Sequence, residues 1–126
     1  MDIPEELRYS TDHEWARLEG TRVRVGITDY AQDALGDVVF VDLPAVGARV
    51  ERNATFGEVE STKSVSDLFA PVAGTVVEAN TELADAPDRL NDDPYGEGWI
   101  CIVEPDDPAQ MDELLDAAAY RALIED

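Results

Sequence analysis

The residue best suited to covalent chemistry is Lys63, the only lysine among the nine basic residues of the chain. A lysine can become a free amine and be acylated, whereas an arginine guanidinium does not lose its proton in practice. Lys63 lies in the polar segment Ser61-Thr-Lys-Ser64, between two strand-like runs, so we expect it at the exposed tip of a turn. Two interpretations remain at this point: a lysine that survived by chance on an arginine-rich surface, or an amine that is modified.

The neighbours of Lys63 favour a modified amine over a catalytic one. A Schiff-base lysine usually needs burial or a cationic neighbour to lower its pKa. Lys63 is surrounded in sequence by Glu58, Glu60 and Asp67, which favour its charged form. We therefore predict a carrier and not an enzyme, with no catalytic residue.

The charge of the chain restricts its partners. Its 29 acidic residues give a net charge of -20, which repels nucleic acid phosphates and anionic membranes. Acids spread along the whole chain are typical of a protein kept soluble in high salt, so we expect a halophilic source.

One cysteine and one histidine exclude an internal disulfide and a Cys-based or multi-His metal site. Without a signal-peptide or bilayer-length apolar run, we expect a cytoplasmic, metal-free protein.

The elements that position Lys63 are mostly strands. We predict a hairpin of Glu14–Glu19 and Thr21–Ile27 around Gly20, because two strand-like runs flank the glycine. A short helix over Thr28–Leu35 should follow, with Asp29 and Gln32 as a capping box and Gly36 as its end. The segment from Thr81 to Gly98 should be irregular or briefly helical. The remaining strands are predicted at Asp37–Leu43, Thr55–Ser61, Val65–Phe69, Gly74–Ala79 and Trp99–Glu104.

The C-terminal segment carries helix signals. Asp107 is expected at the N-cap, Pro108 at the first helical position and Gln110 at the capping-box position. Apolar residues recur at helical spacing, so the helix should dock on the core, either unbroken or divided near Ala117–Ala119. The predicted buried face consists of Met111, Leu114, Leu115, Ala118, Ala122 and Leu123.

An internal repeat surrounds Lys63. Gly36-Asp-Val-Val39 is similar to Gly74-Thr-Val-Val77, and Gly57-Glu-Val-Glu60 is similar to the end of Gly98–Glu104. Each half could supply one layer of a flattened barrel or sandwich. We therefore predict one mainly β domain over residues 1–126, with a pseudo-twofold repeat and two short helices.

Several motifs resemble the H protein of the glycine cleavage system. The segment Phe56–Asn80 matches the lipoyl-lysine segment of that family, with Glu60-Ser-Thr-Lys63, Ser66-Asp67, Pro71 and Gly74 as its specific residues. Tyr9-Ser-Thr-Asp-His-Glu-Trp15 and Val25–Phe40 resemble the family's earlier blocks, and Pro94-Tyr95, Gly98-Trp99 and Tyr120 extend the likeness almost to the end.

The resemblance implies a carrier fold of the biotinyl and lipoyl type and a function. Lipoate would be joined by an amide to Lys63 through a lipoylating enzyme. The carrier would take an aminomethyl group from glycine decarboxylase, pass it to aminomethyltransferase and be reoxidised by dihydrolipoyl dehydrogenase. It would be a shuttle, not an enzyme, because the cofactor carries the chemistry.

The resemblance also implies a protective cleft for the loaded arm. A terminal ammonium in a cleft needs an acceptor to offset desolvation, and Glu14 and Asp67 match the family positions for that role. Asp12 replaces an expected small polar residue, and Ala34 replaces a histidine of some relatives. His13 is expected to be structural, and Trp99 and Cys101 to pack in the core.

Four other functions are compatible with parts of the sequence. A biotin carrier typically has its lysine between two methionines, whereas Lys63 lies between Thr62 and Ser64. A lipoyl domain of a 2-oxo-acid dehydrogenase would lack the His13-Glu14-Trp15 region and the C-terminal helix. A Schiff-base enzyme is disfavoured because no second base is apparent. An H-like protein that relays lipoyl groups to other acceptors remains open.

Overall fold

The computed structural model describes residues 1–125 and contains two antiparallel β-sheets. The larger sheet has six strands in the order β1-β2-β3-β9-β8-β5, and the smaller has three in the order β4-β6-β7. The strands are β1 Arg8–Tyr9, β2 Glu14–Glu19, β3 Arg22–Ile27, β4 Val38–Asp42, β5 Arg49–Val50, β6 Thr55–Ser61, β7 Val65–Phe69, β8 Gly74–Ala79 and β9 Cys101–Pro105.

The architecture is a sandwich, so of the two predicted forms the closed barrel is wrong and the mainly β sandwich is confirmed. A core of buried aliphatic side chains fills the space between the sheets, including Val25, Val59, Val76 and Val103. Burying such side chains is the main favourable term in folding. The assignment of one domain to residues 1–126 stays a prediction, and Asp126 lies outside the described residues.

The predicted repeat corresponds to two strand pairs. β4 pairs with β6 in the first half, and β8 pairs with β9 in the second. Both pairs are antiparallel and both contain a register shift. β6 also pairs with β7, and the turn of this β6–β7 hairpin carries Lys63. In the chain, β7 connects the first strand pair to β8 of the second.

Helix α1 covers Asp29–Leu35 and begins differently from the prediction. Its N-cap is Thr28, whose Oγ1 accepts a hydrogen bond from the Ala31 amide. Asp29 is the first helical residue, and Gln32 donates to its side chain instead of completing a capping box. A threonine N-cap satisfies the same orphan amides, and Gly36 ends the helix as expected.

The segment before β9 contains a 3-10 turn at Thr81–Ala84 and the single-turn helix α2, Arg89–Asp92. The last strand begins at Cys101 and not at the predicted Trp99. Cys101 is buried as expected. Trp99 is half-buried and packs against the core cluster that contains Trp15 and Tyr120, and the Arg24 guanidinium lies 4.6 Å from its ring centroid.

The C-terminal segment forms two helices with a break at Leu114–Asp116, slightly before the predicted break. Pro108–Glu113 is a 3-10 helix capped by Asp107, and α3 covers Ala117–Ile124 with Asp116 as N-cap. Gln110 does not form a capping box, because its side chain bonds to the backbone of Ala73.

The predicted apolar face is therefore wrong in its second half. Leu115 pairs with Tyr9 in an isolated bridge, which interrupts the helix. The buried residues of α3 are Ala117 and Tyr120, whereas Ala118, Ala122 and Leu123 are exposed. No helix within residues 1–125 has the length and apolar character needed to cross a membrane.

Candidate functional site

The β6–β7 turn holds Lys63 in an ordered position. Ser61 and Ser64 close the turn through a 2.8 Å hydrogen bond between the Ser61 amide and the Ser64 carbonyl. The Ser61 hydroxyl also accepts from the amides of Lys63 and Ser64, at 3.2 and 3.1 Å. Serine at the start of the turn thus orders the backbone that carries Lys63.

The Lys63 side chain is exposed, but it does not simply project into solvent as predicted. Its Nζ donates to the carbonyl oxygen of Ala34 at 3.4 Å. Its Cε lies 2.8 Å from the position that a Cβ on Gly36 would occupy. The last carbonyls of a helix lack intrahelical partners and attract cations, so the amine rests against the end of α1.

An open cleft begins beside this turn. It lies between α1 and the β6–β7 hairpin, has a volume of about 280 Å³ and is lined near Lys63 by Ser64 and Val65. Its walls combine aliphatic side chains with three acids, Asp12, Glu14 and Asp67. His13 is the basic residue of the lining. The lining residues are Asp12, His13, Glu14, Ile27, Tyr30, Ala31, Ala34, Leu35, Val59, Ser64, Val65, Ser66, Asp67 and Leu68.

Glu14 is the buried acid of the cleft, with 2% of its surface exposed. Its Oε1 accepts from the Ser10 hydroxyl at 2.7 Å, and its Oε2 accepts from the Phe69 amide at 3.4 Å. Burial raises the pKa of Glu14 to about 8, and the nearby Asp12 adds to the rise, while the two hydrogen bonds oppose it. The raised pKa favours the uncharged carboxyl, and a cation beside it would favour the ionised form.

The other residues singled out in sequence meet in the same cleft. Asp67 on β7 and Asp12 before β2 are exposed and line it, and Ala34 on α1 forms part of its wall. Both departures from the family pattern thus occur at this one place. A methyl group at position 34 contributes no hydrogen bond, whereas Asp12 adds a carboxylate.

His13 lines the cleft but is held by other residues. Its Nδ1 shares a 2.9 Å hydrogen bond with the Tyr120 hydroxyl, which also bonds to the Thr28 hydroxyl at 2.8 Å. Tyr9 stacks on Tyr120 with 4.6 Å between ring centroids. Burial lowers the pKa of His13, which favours its neutral form. The structural role predicted for His13 agrees with these contacts.

Sequence reasoning missed two residues that support the site. Ser10 is buried and bonds to both the carboxyl and the amide of Glu14, and a Ser four residues before a Glu in a turn was the available signal. Tyr120 connects α3 to His13 and to the N-cap of α1. Only the tertiary structure brings Tyr120 to Thr28, across 92 residues.

Comparison with known proteins gives consistent matches. A model of the glycine cleavage H-protein family matches residues 7–126. The glycine cleavage system H protein of Anaeromyxobacter sp. (strain K) is 56% identical over 126 residues, covering 100% of this chain and 98% of that protein. That of Geobacillus kaustophilus is 55% identical over 124 residues, covering 98% of each. The crystal structure of the Mycobacterium marinum H protein superposes with a TM-score of 0.90 at 46% identity, covering 98% of this chain and 99% of that one.

Proposed function

The chain belongs to the glycine cleavage H-protein family, and we propose that Lys63 carries its lipoyl group while Glu14 and Asp67 receive the charged end of the loaded arm. As a member of that family, the protein is a lipoyl carrier of the glycine cleavage system and not itself an enzyme. Its partners are glycine decarboxylase, aminomethyltransferase and dihydrolipoyl dehydrogenase. Its cofactor is lipoate bound covalently to a lysine.

The observation that carries the proposal is a cleft that begins beside the Lys63 turn and contains the buried carboxyl of Glu14. Small-molecule sites usually have volumes of roughly 300–1,000 Å³, so a cleft of about 280 Å³ suits a slender chain. Aliphatic walls from Ile27, Leu35 and Leu68 suit the hydrocarbon part of such a chain. The residues present therefore fit a lipoyl group attached at Lys63.

The residues of the chain have separate tasks in this proposal. Lys63 anchors the group, and the Ser61 hydrogen bonds fix the turn from which it extends. The aliphatic walls exclude water, and Glu14 offers an acceptor to an ammonium, with Asp67 at the rim. The lipoyl group supplies the redox and group-carrying chemistry when attached.

We also propose that the protein works in a salt-rich cytoplasm and has neither nucleic acid nor anionic membranes as partners. The net charge of -20 supports function in a salt-rich cytoplasm, because screening weakens repulsion among the acids. The same charge disfavours nucleic acid and anionic membranes as partners.

Intact-mass spectrometry of protein from its native host tests the attachment site. We expect one lipoyl addition on the wild-type chain and none on Lys63→Arg, because an arginine offers no acylatable amine. A native chain without any addition, or an addition that persists in Lys63→Arg, would contradict the assignment.

A further inference from the structure

The histidine that precedes Glu14 in the chain shares the cleft with it. His13 has φ 72°, in the left-handed region that residues with a side chain rarely adopt. Extended backbone points successive side chains to opposite sides, whereas His13 and Glu14 both line the cleft. Sparsely populated backbone of this kind is concentrated at functional sites. The turn into β2 thus combines an imidazole with a buried carboxyl in one cleft.

The hydrogen bonds of Tyr120 determine which nitrogen of His13 carries the proton. Thr28 is fully buried, and its Oγ1 accepts from the Ala31 amide and bonds to the Tyr120 hydroxyl. Within residues 1–125, the Tyr120 oxygen is the one acceptor available to the Thr28 hydroxyl proton, and a buried donor without an acceptor would cost stability. The Tyr120 proton is therefore donated to Nδ1 of His13, at 2.9 Å. A neutral imidazole that accepts at Nδ1 carries its proton on Nε2.

The Nε2–H of His13 is the donor that remains for a bound group. Nε2 makes no hydrogen bond with the described part of the chain, residues 1–125, whereas Nδ1 is occupied by Tyr120. Burial lowers the pKa of His13 and so favours the neutral form, in which Nδ1 can accept. The rings of Tyr30 and Tyr120 lie 4.8 and 5.8 Å from the imidazole, centroid to centroid, and hold it in the wall of the cleft. The cleft therefore has a positioned N–H donor beside the acceptor Glu14.

The loaded arm offers an acceptor for this donor. A reduced lipoyl group has two sulfurs, and loading one of them with the aminomethyl group leaves the other free as a thiol. A short carbon chain joins the two sulfurs, so an ammonium that enters the cleft brings the free thiol with it. A sulfur accepts hydrogen bonds from N–H groups, and it does so best when it is ionised.

Building on the proposed function, in which Glu14 receives the ammonium, we infer that the Nε2–H of His13 donates a hydrogen bond to the free sulfur of the loaded arm. The loaded arm is thus held at two points, the ammonium by Glu14 and the sulfur by His13. The hydrogen bond favours the ionised sulfur, because a donor stabilises the charged form, and the thiol proton passes to solvent. Tyr120 and Thr28 are positioning residues, since they act by fixing the tautomer of His13.

The test uses the lipoylated carrier after reduction, with one sulfur of the arm converted by bromoethylamine to a stable S-aminoethyl group. This arm has an ammonium and a free thiol, and Cys101, the one cysteine of the chain, is buried and does not interfere. His13→Asn removes the Nε2 donor, whereas asparagine tolerates the left-handed region and its Oδ1 can accept from Tyr120. We expect the pKa of the free thiol, read from the ultraviolet absorbance of the thiolate, to be about one pH unit higher in His13→Asn than in wild type.

An S-ethyl arm is the matched control, because it has a free thiol but no ammonium for Glu14. Its thiol pKa should be the same in wild type and His13→Asn. The other titratable groups around the imidazole are present in both proteins, so they cancel in this difference. They are Asp12, Glu14, Asp67, Tyr30 and Tyr120.

Nitrogen NMR of the imidazole adds a direct measurement, since His13 is the only histidine of the chain. Nε2 should carry the proton in the wild-type protein. Its signal should move when the S-aminoethyl arm is present and should not move with the S-ethyl arm. Tyr120→Phe should spread the proton over both ring nitrogens, because Nδ1 then loses its donor.

A wild-type His13 protonated on Nδ1 would overturn the inference. An equal thiol pKa in wild type and His13→Asn with the S-aminoethyl arm would overturn it too, as would the same difference with the S-ethyl arm. An unchanged single tautomer in Tyr120→Phe would contradict the positioning role. Failure of the proposed function would look different, because the carboxyl carbon signal of Glu14 would then not respond to the S-aminoethyl arm. A responding Glu14 with an unaffected Nε2 would reject the role of His13 alone.

Discussion

The Lys63 ammonium donates a hydrogen bond to the carbonyl oxygen of Ala34, with 3.4 Å between Nζ and O. Ala34 belongs to the wall of the cleft, so the amine lies at the cleft entrance. Acylation replaces the ammonium with an uncharged amide, which is no longer attracted to the end of a helix in the same way. Attachment of an acyl group should therefore release the side chain from α1.

The first prediction is that the fold does not depend on the charge of Lys63. Lys63→Gln removes the cation, as acylation does, but the side chain is exposed and makes one long hydrogen bond. Surface substitutions of this kind usually change stability by less than about 0.5 kcal/mol. Urea unfolding monitored by tryptophan fluorescence should show this, and a loss above about 2 kcal/mol would mean that Lys63 is structurally required.

The second prediction concerns the glycine on which Lys63 rests. Gly36 has φ 77° and ψ -155°, a region that side chains with a Cβ rarely adopt. Such backbone strain costs on the order of 1–3 kcal/mol, so Gly36→Ala should lower the free energy of unfolding by about that amount. Gly20→Ala also has a positive φ, but nothing lies within 4 Å of the added methyl, whereas at Gly36 the methyl would meet Lys63 Cε at 2.8 Å. Gly20→Ala should therefore lose stability through backbone strain alone, and by less than Gly36→Ala. Equal and negligible losses in both variants would contradict the prediction.

The third prediction concerns salt. With a net charge of -20, repulsion among the acids is poorly screened at low ionic strength. Melting temperatures measured across a potassium chloride series should rise with salt. A flat or falling series would contradict adaptation to high salt, and an uncharged osmolyte at matched osmolality serves as the control.

Much of the fold follows from local sequence signals. β2, β6, β7 and β8 have the predicted limits, because each strand-like run is bounded by turn residues. The predicted buried face of the C-terminal helix is wrong, because the pairing of Leu115 with Tyr9 overrides the helical spacing. That pairing joins residues more than 100 positions apart, and no local pattern reports it.

In the candidate site, too, some features follow from local sequence and others from long-range contacts. The type and turn position of Lys63 are visible in sequence, and motif resemblance selects Glu14 and Asp67 from 29 acids. The buried carboxyl of Glu14 accepts hydrogen bonds from Ser10 and from the amide of Phe69, 55 residues away on the hairpin. The perturbed pKa of this carboxyl is therefore a tertiary property, which the sequence does not reveal.

The fourth prediction follows from that pKa. Glu14 has a pKa of about 8 in the folded chain against an ordinary value of 4.5, so between these limits the folded state binds more protons than the unfolded state. The free energy of unfolding should then fall as pH rises through this window, by up to about 1.4 kcal/mol per pH unit from this group. The contribution is fully present below pH 4.5 and lost above pH 8.

Glu14→Gln isolates this contribution, because glutamine keeps the shape and does not titrate. The variant should gain stability relative to wild type between pH 5 and pH 8.5 in urea titrations at constant high salt. Asp67→Asn is the control, since Asp67 is exposed. A difference between Glu14→Gln and wild type that stays constant across this range would contradict the raised pKa.

The last prediction tests the protective role of the cleft. An ammonium placed against apolar walls must be paired, and the Glu14 carboxylate offers a charge-assisted hydrogen bond. Such bonds are worth roughly 1.5–3 kcal/mol against about 1 for neutral pairs. Replacing Glu14 with Gln should therefore raise the population of released arm about tenfold, at about 1.4 kcal/mol per decade.

The measurement is the breakdown rate of the aminomethyl-loaded carrier without its partner enzymes, at pH 8.5 in matched high salt. The oxidised carrier, whose arm has no amine, should show the same arm mobility in wild type and variant. Equal lifetimes of the loaded proteins would remove Glu14 from the site and leave Asp67 or Asp12 as candidates. A shorter lifetime in Glu14→Gln, with the oxidised forms alike, would support a Glu14 carboxylate beside the amine.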